Sequence, residues 1–167
     1  LSKLNAPTRE ERLENLRDGV GYAKFPPMLD AYINNHIHTT YSFSPYSPAG
    51  AVYAARAEGL RTAGIVDHDS IAGAREFIEA GKIVGIPTTV GMECRARMDG
   101  TILEGRRTNN PDQVNVSYMT LQGVPHEKIE YLNDWFAPRR AARNERNRKM
   151  VANINTLLPD ASLDFDR

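Results

Sequence analysis

Three of the four histidines in the chain, His36, His38 and His68, stand close to the carboxylates Asp67 and Glu93. On a strand, residues two apart point to the same side, so His36 and His38 can grip one cation while Ile37 packs on the other face. Neutral imidazoles combined with carboxylate oxygens suit Zn, Mn or Fe, whereas an all-oxygen site would suit Mg or Ca. Glu93 has two oxygens and can bridge two ions, and a bridged pair activates water and clamps an oxyanion during in-line displacement. Such hydrolysis needs no side-chain nucleophile. Each cluster also has a plainer reading. A strand-end histidine is commonly a hydrogen-bonded structural residue, Asp67-His68-Asp69 can simply cap a helix, and a lone Glu93 says nothing. Their recurrence at equivalent places argues for a metal site.

Those places are set by the pattern of elements. Thr8 to Glu11 is a capping-box pattern that predicts a helix to about Asp18, ended by Gly19 and Gly21. Pro26-Pro27 forces an extended connection, and Met28 to Thr40 reads as a strand. Ser47-Pro48 opens a helix with Val52, Ala55 and Leu60 on its apolar side, closed by Gly59. Arg61 to Val66 reads as a parallel strand buried on both faces. Asp69 or Ser70 is expected to cap a helix through Ala80, and Ile86 to Glu93 is a third strand. This alternation is the signature of an α/β fold with parallel β/α layers, in which ligands bind at the C-terminal strand ends. Gln113 to Gln122 is a plausible fourth strand, and Pro125 to Leu158 reads as helical, broken at Pro138.

Asn35-His36-Ile37-His38-Thr39-Thr40-Tyr41-Ser42, Gly64-Ile65-Val66-Asp67-His68-Asp69 and Gly91-Met92-Glu93 resemble the first three motifs of the PHP (polymerase and histidinol phosphatase) domain family. The resemblance implies part of a distorted seven-stranded β/α barrel, with a helical C-terminal segment here. It also implies a site of two or three divalent ions (Zn, Mn or Fe) that hydrolyses phosphate esters. By that analogy His36, His38, His68 and Glu93 are the metal ligands. Glu93 and Asp67 are the candidate catalytic carboxylates, with Asp67 orienting an imidazole from behind. The chain departs from the pattern too. Ser42-Phe43-Ser44 stands where many members carry Ser-Asp-Gly, and the strand after Glu93 offers no histidine. His126 falls late and in a loop. The family's late motifs, a further histidine and an Asp-x-His, are absent, so the missing ligands are expected beyond Arg167.

Arg95 and Arg97 follow the third strand on the rim of the expected site, as do Arg106 and Arg107. Arginine forks bind phosphate well, so Arg95 and Arg97, with Ser42, are candidate substrate contacts. A small phosphorylated substrate is the expected partner. Arg139, Arg140, Arg143, Arg146, Arg148 and Lys149 make a basic stretch that could contact nucleic acid, but without regular aromatic interleaving it reads as a solvated helix face. A nuclease or polymerase-associated module, or a non-catalytic scaffold with a degraded site, are the rival functions. Cys94 should point away from Glu93 as a buried structural thiol.

Composition fits this reading. The chain has 167 residues, 41% hydrophobic and 25% charged, with a formal net charge of +0 and one cysteine. That excludes a disulfide framework and a global bias toward nucleic acid or anionic membrane. No apolar run approaches the roughly 20 residues of a membrane span, and no signal peptide is evident, so cytoplasmic residence is expected. The chain divides into an N-terminal helical leader (1–27), a β/α metal-binding part (28–124) and a helical extension or insertion (125–167), and its open ending reads as the first part of something larger.

Overall fold

A computed structural model describes residues 2–42 and 44–166. Helix α1 (Arg9–Val20) starts at the predicted capping box: Thr8 Oγ1 accepts from Glu11 N–H (3.2 Å), and Glu11 Oε2 accepts from Thr8 N–H (3.1 Å). It runs through Gly19 to Gly21. Strand β1 (Leu29–Ile37) follows, then α2 (Pro48–Ala57), opened by Ser47, whose hydroxyl accepts from Gly50 N–H at 3.0 Å. Strand β2 (Leu60–His68), helix α3 (Ala74–Val84) and strand β3 (Thr88–Arg97) complete the alternation. Strand β4 (Val116–Leu121) and the long helix α4 (Ile129–Leu157) follow, with a short 3-10 turn (Pro159–Ala161) after α4. No helix of the described residues is long and apolar enough to cross a membrane.

The sheet order is β1-β2-β3-β4, with the first two pairings parallel and β3–β4 antiparallel. β4 is therefore a hairpin partner of β3 rather than the next strand of the parallel series. Helices α1, α2 and α3 pack together behind the sheet. Leu16, Val52, Ile65, Ile71 and Phe77 are buried at their centre, and β2 is buried along Ala63–Asp67 as a central parallel strand should be.

Two expectations from the pattern are corrected. Neither Asp69 nor Ser70 caps α3. The helix starts at Ala74 after Gly73 with no side-chain cap, because residues 67–70 are held in a separate tight turn closed by an Asp67–Ser70 bridge. Nor is the last helix broken at Pro138, which lies inside a continuous α4. An interior proline forfeits one backbone hydrogen bond and crowds the carbonyl four residues back. Asp134 and Pro138 are both exposed, so water can serve the freed carbonyl, and the Arg140 guanidinium donates to the neighbouring Asn133 carbonyl (2.9 Å).

Gly64 lets β1 lie close to β2. A Cβ there would meet the Asn35 Cα at 2.7 Å and the Thr89 hydroxyl closer still. Asn35 backbone cannot retreat without moving His36, so Gly64→Ala is expected to cost about 3 kcal/mol of stability by overpacking. Denaturant unfolding measures it, and an unchanged midpoint would mean that β1 yields freely.

Candidate metal centre

The site forms where β1, β2 and β3 end side by side. The β1–β2 register pairs Asn34 with Ala63 but Ile37 with Ile65, so β1 carries one extra residue across Asn35-His36. Such a bulge bends the strand and re-aims a side chain. Consistent with it, the His36 N–H turns to the Asn34 side-chain oxygen (3.0 Å). Ile37 still packs toward the core. In the β2–β3 ladder, His68 stands directly opposite Glu93.

These placements bring the four expected ligands together. His36 Nε2 lies 3.0 Å from Glu93 Oε2, and His68 Nε2 lies 3.8 Å from the same oxygen. His36, His38 and Glu93 each offer a donor atom, all within 4.8 Å of one another. The His38 and His68 rings stack with centroids 4.9 Å apart and planes 4° from parallel, and His36 is tilted 60° to His38. Burial lowers the basicity of His68 more than nearby Glu93 raises it, so this imidazole is neutral at pH 7, the form in which it can bind a metal. The set of imidazole nitrogens and one carboxylate fits a borderline divalent ion.

Asp67 acts through the backbone beside His38. It is buried, its Oδ1 accepts from Thr39 N–H and its Oδ2 from the Thr39 hydroxyl, both at 2.7 Å. Two hydrogen bonds donated by Thr39 to a buried carboxylate thus pin the turn that leaves β1. Ser42, expected against substrate, has its hydroxyl 3.0 Å from His38 Nδ1 and so holds that ring, while also lining a cavity of about 190 Å³. Arg95, two residues beyond Glu93, lines the same cavity with its guanidinium 5.8 Å above the Tyr118 ring. Arg97 lies further out on β3, is paired with Asp99 (2.6 Å) and lines neither this cavity nor the larger one below. Cys94 is half-buried, with burial pushing its thiol up and away from reactivity. His126 sits in an exposed 3-10 turn whose carbonyl accepts from Arg75 (2.9 Å), on the side of α3.

The residues missed by the sequence reading are on α4. Arg143 and Arg146 join Arg95 around the 190 Å³ cavity, and Arg140, Arg143 and Asn144 line a second of about 340 Å³ with Tyr41, His68 and Ser70. The solvated-face reading fails at Arg143, which is partly buried against the His68–Asp69 turn, while Asn144 and Arg146 stay exposed. The available signal was the spacing of Arg140, Arg143, Asn144 and Asn147, one face of a helix carrying only polar side chains.

Comparison with known proteins agrees with this geometry. A 5'-3' exoribonuclease of Haemophilus influenzae is 38% identical over 65 residues, which are 39% of this chain and 24% of that protein. A solved structure from Bifidobacterium adolescentis, assigned as a metal-dependent phosphoesterase, matches with TM-score 0.59 and 27% identity over 86% of this chain and 43% of its own. An amidohydrolase from Chromobacterium violaceum matches with TM-score 0.61 and 22% identity over 81% of this chain and 42% of its own. The chain thus spans about a quarter of the curated relative and under half of each solved structure. The PHP domain profile matches residues 34–162, a stretch that takes in the histidine pair, Asp67-His68, Glu93 and the whole of α4, and the chain belongs to the PHP domain family.

Proposed function

We propose that this chain carries the metal-binding part of a hydrolase that cleaves phosphate esters with a metal-activated water. The observation that carries the reading is the convergence of His36, His38, His68 and Glu93 beside a cavity walled by Arg95, Arg143 and Arg146. The donors match a divalent ion, and the neighbouring guanidiniums match a substrate with anionic oxygens. Divalent ions held there supply a water acidified toward neutral pH and Lewis acidity for the phosphoryl oxygens.

The remaining chemistry belongs to the chain. His36 and His38 present nitrogens from the bulged end of β1, and one Glu93 oxygen lies 3.0 Å from His36 and 3.8 Å from His68. His38 and His68, their rings stacked 4.9 Å apart and 4° from parallel, would with His36 and Glu93 supply the imidazole and carboxylate donors for the divalent ions. Asp67 and Thr39 keep the His38 turn rigid, and Ser42 orients the His38 ring. Arg95 meets the departing or transferred phosphate.

A nucleic-acid substrate is the second reading, favoured by the exoribonuclease similarity and by the arginines of α4 on the cavity wall. The distinguishing experiment measures Mn2+-dependent initial rates of the purified chain on p-nitrophenyl phosphate, p-nitrophenyl acetate, an anilide and 5'-labelled single-stranded RNA. Release from the phosphate monoester supports the main reading. Salt-sensitive shortening of the RNA without it supports the second, and turnover of acetate or anilide alone contradicts both. Within the main reading, Arg95→Ala is expected to raise KM about tenfold with kcat little changed, since a charge-assisted hydrogen bond to phosphate is lost in the bound ground state. A change confined to kcat would mean that Arg95 acts in the transition state.

A further inference from the structure

Helix α4 is anchored to the body at its N-terminal end. Ile129 and Phe136 are buried there, and Arg75 of α3 donates to both Glu130 oxygens (2.7 and 2.6 Å). Two turns beyond Phe136, Arg143 reaches the metal centre. Its Nη1 donates to the His68 carbonyl (2.8 Å) and to Asp69 Oδ2 (3.0 Å).

The backbone it grips is conformationally costly. Asp69 has φ 53, the left-handed region that a side chain disfavours. Its N–H donates to the Glu93 carbonyl at 2.7 Å, tying the turn to β3. The residue following a metal-ligand candidate is thus held in a sparsely populated conformation, which persists only where the surroundings over-determine it. Arg143 supplies such a constraint from another element, with a partly buried ion pair and a carbonyl contact made by one nitrogen.

We infer that Arg143 is a positioning residue for the metal centre: delivered by α4, it fixes the His68–Asp69 turn and thereby aims the His68 imidazole at Glu93. The inference rests on the metal-site reading above. It gives α4 a role as a strut behind a ligand, separate from any contact of its other arginines with substrate.

The test uses metal affinity rather than turnover. The chelator-stripped chain is titrated with Co2+, following heat and the visible absorption of the bound ion. Arg143→Met keeps the apolar stem without donors and should weaken binding about tenfold, the lower end of what loss of a ligand-orienting contact costs, with an altered Co2+ spectrum. Arg143→Lys should recover most of the affinity, because a single nitrogen makes both contacts. Arg75→Met, which loosens the anchored end of α4 without touching the turn, should bind like the wild type. Wild-type affinity in Arg143→Met overturns the inference, and so does an equal loss in Arg75→Met, which would make helix docking the cause. If the wild type itself takes up no Co2+, the metal-site reading falls and this inference falls with it.

Discussion

Glu93→Ala is expected to weaken divalent-metal binding by about 100-fold or more and to lower kcat/KM for a phosphate ester by about 10³. One Glu93 oxygen lies 3.0 Å from His36 and 3.8 Å from His68, so its removal takes away the group that the ligands of two strands share. His38→Ala should act in the same direction. Neither change should unfold the chain. The cluster sits at strand ends, outside the packed centre around Leu16 and Phe77. The metal-free variant should therefore melt close to the metal-free wild type, and only the rise in Tm on adding metal should vanish, because that rise reflects binding to the native state alone. Thermal scans with and without Mn2+ read both quantities. A variant that keeps the metal-induced rise would show that Glu93 is not a ligand.

The largest effect on stability is expected among the helices that back the sheet. Arg12 of α1 donates through Nε (2.8 Å) and Nη2 (2.5 Å) to the two oxygens of Glu76 on α3, and Glu76 also accepts from the Ala49 N–H (3.1 Å) at the start of α2. The Glu76 side chain is 2% exposed and that of Arg12 11%. Arg12 further donates to the carbonyls of Ala6 and Pro7 (2.9 and 3.0 Å). This one ion pair therefore joins three helices and the segment before α1. Arg12→Met leaves a buried carboxylate without its cation and is expected to cost about 3–5 kcal/mol, a fall in Tm of roughly 10 °C for a chain of this size. Replacing both partners, Arg12→Met with Glu76→Leu, should recover much of the loss, since a buried pair swapped for apolar groups is often near neutral. If the single variant costs no more than the double, the pair adds nothing beyond packing. The hydrogen bonds of Arg12 and Glu76 go to each other and to the backbone of Ala6, Pro7 and Ala49, none of them a candidate ligand, so metal affinity should change little while the chain stays folded.

How much of this was legible depends on how local each signal is. The Thr8–Glu11 capping box and the Ser47-Pro48 helix start were readable because their hydrogen bonds lie within four residues. The clustering of His36, His38, His68 and Glu93 was readable because they fall at the ends of strands whose apolar runs mark them. The bulge at Asn35-His36 was not, since it exists only in the register between β1 and β2. The antiparallel direction of β4 was hidden for the same reason. Asp67 stood in a familiar motif, yet its partner Thr39 is 28 residues away, and no spacing rule predicts that clamp. Charge misled most on α4. Arg139 stacks on Trp135 at 4.1 Å, Arg148 pairs with Asp166 at 2.6 Å, and Arg143 turns inward to the His68 turn. A run of like residues on a helix takes three different roles according to what each turn of the helix faces.

The most direct test of the metal centre is equilibrium binding to the chain itself. Protein stripped with chelator and dialysed is titrated with Mn2+, Zn2+ and Co2+, with metal content per chain read by elemental analysis. Saturable uptake in the wild type, lost together in His38→Ala and Glu93→Ala but kept in His126→Ala, is the predicted result. Uptake that is absent, or equal in wild type and Glu93→Ala, would contradict it.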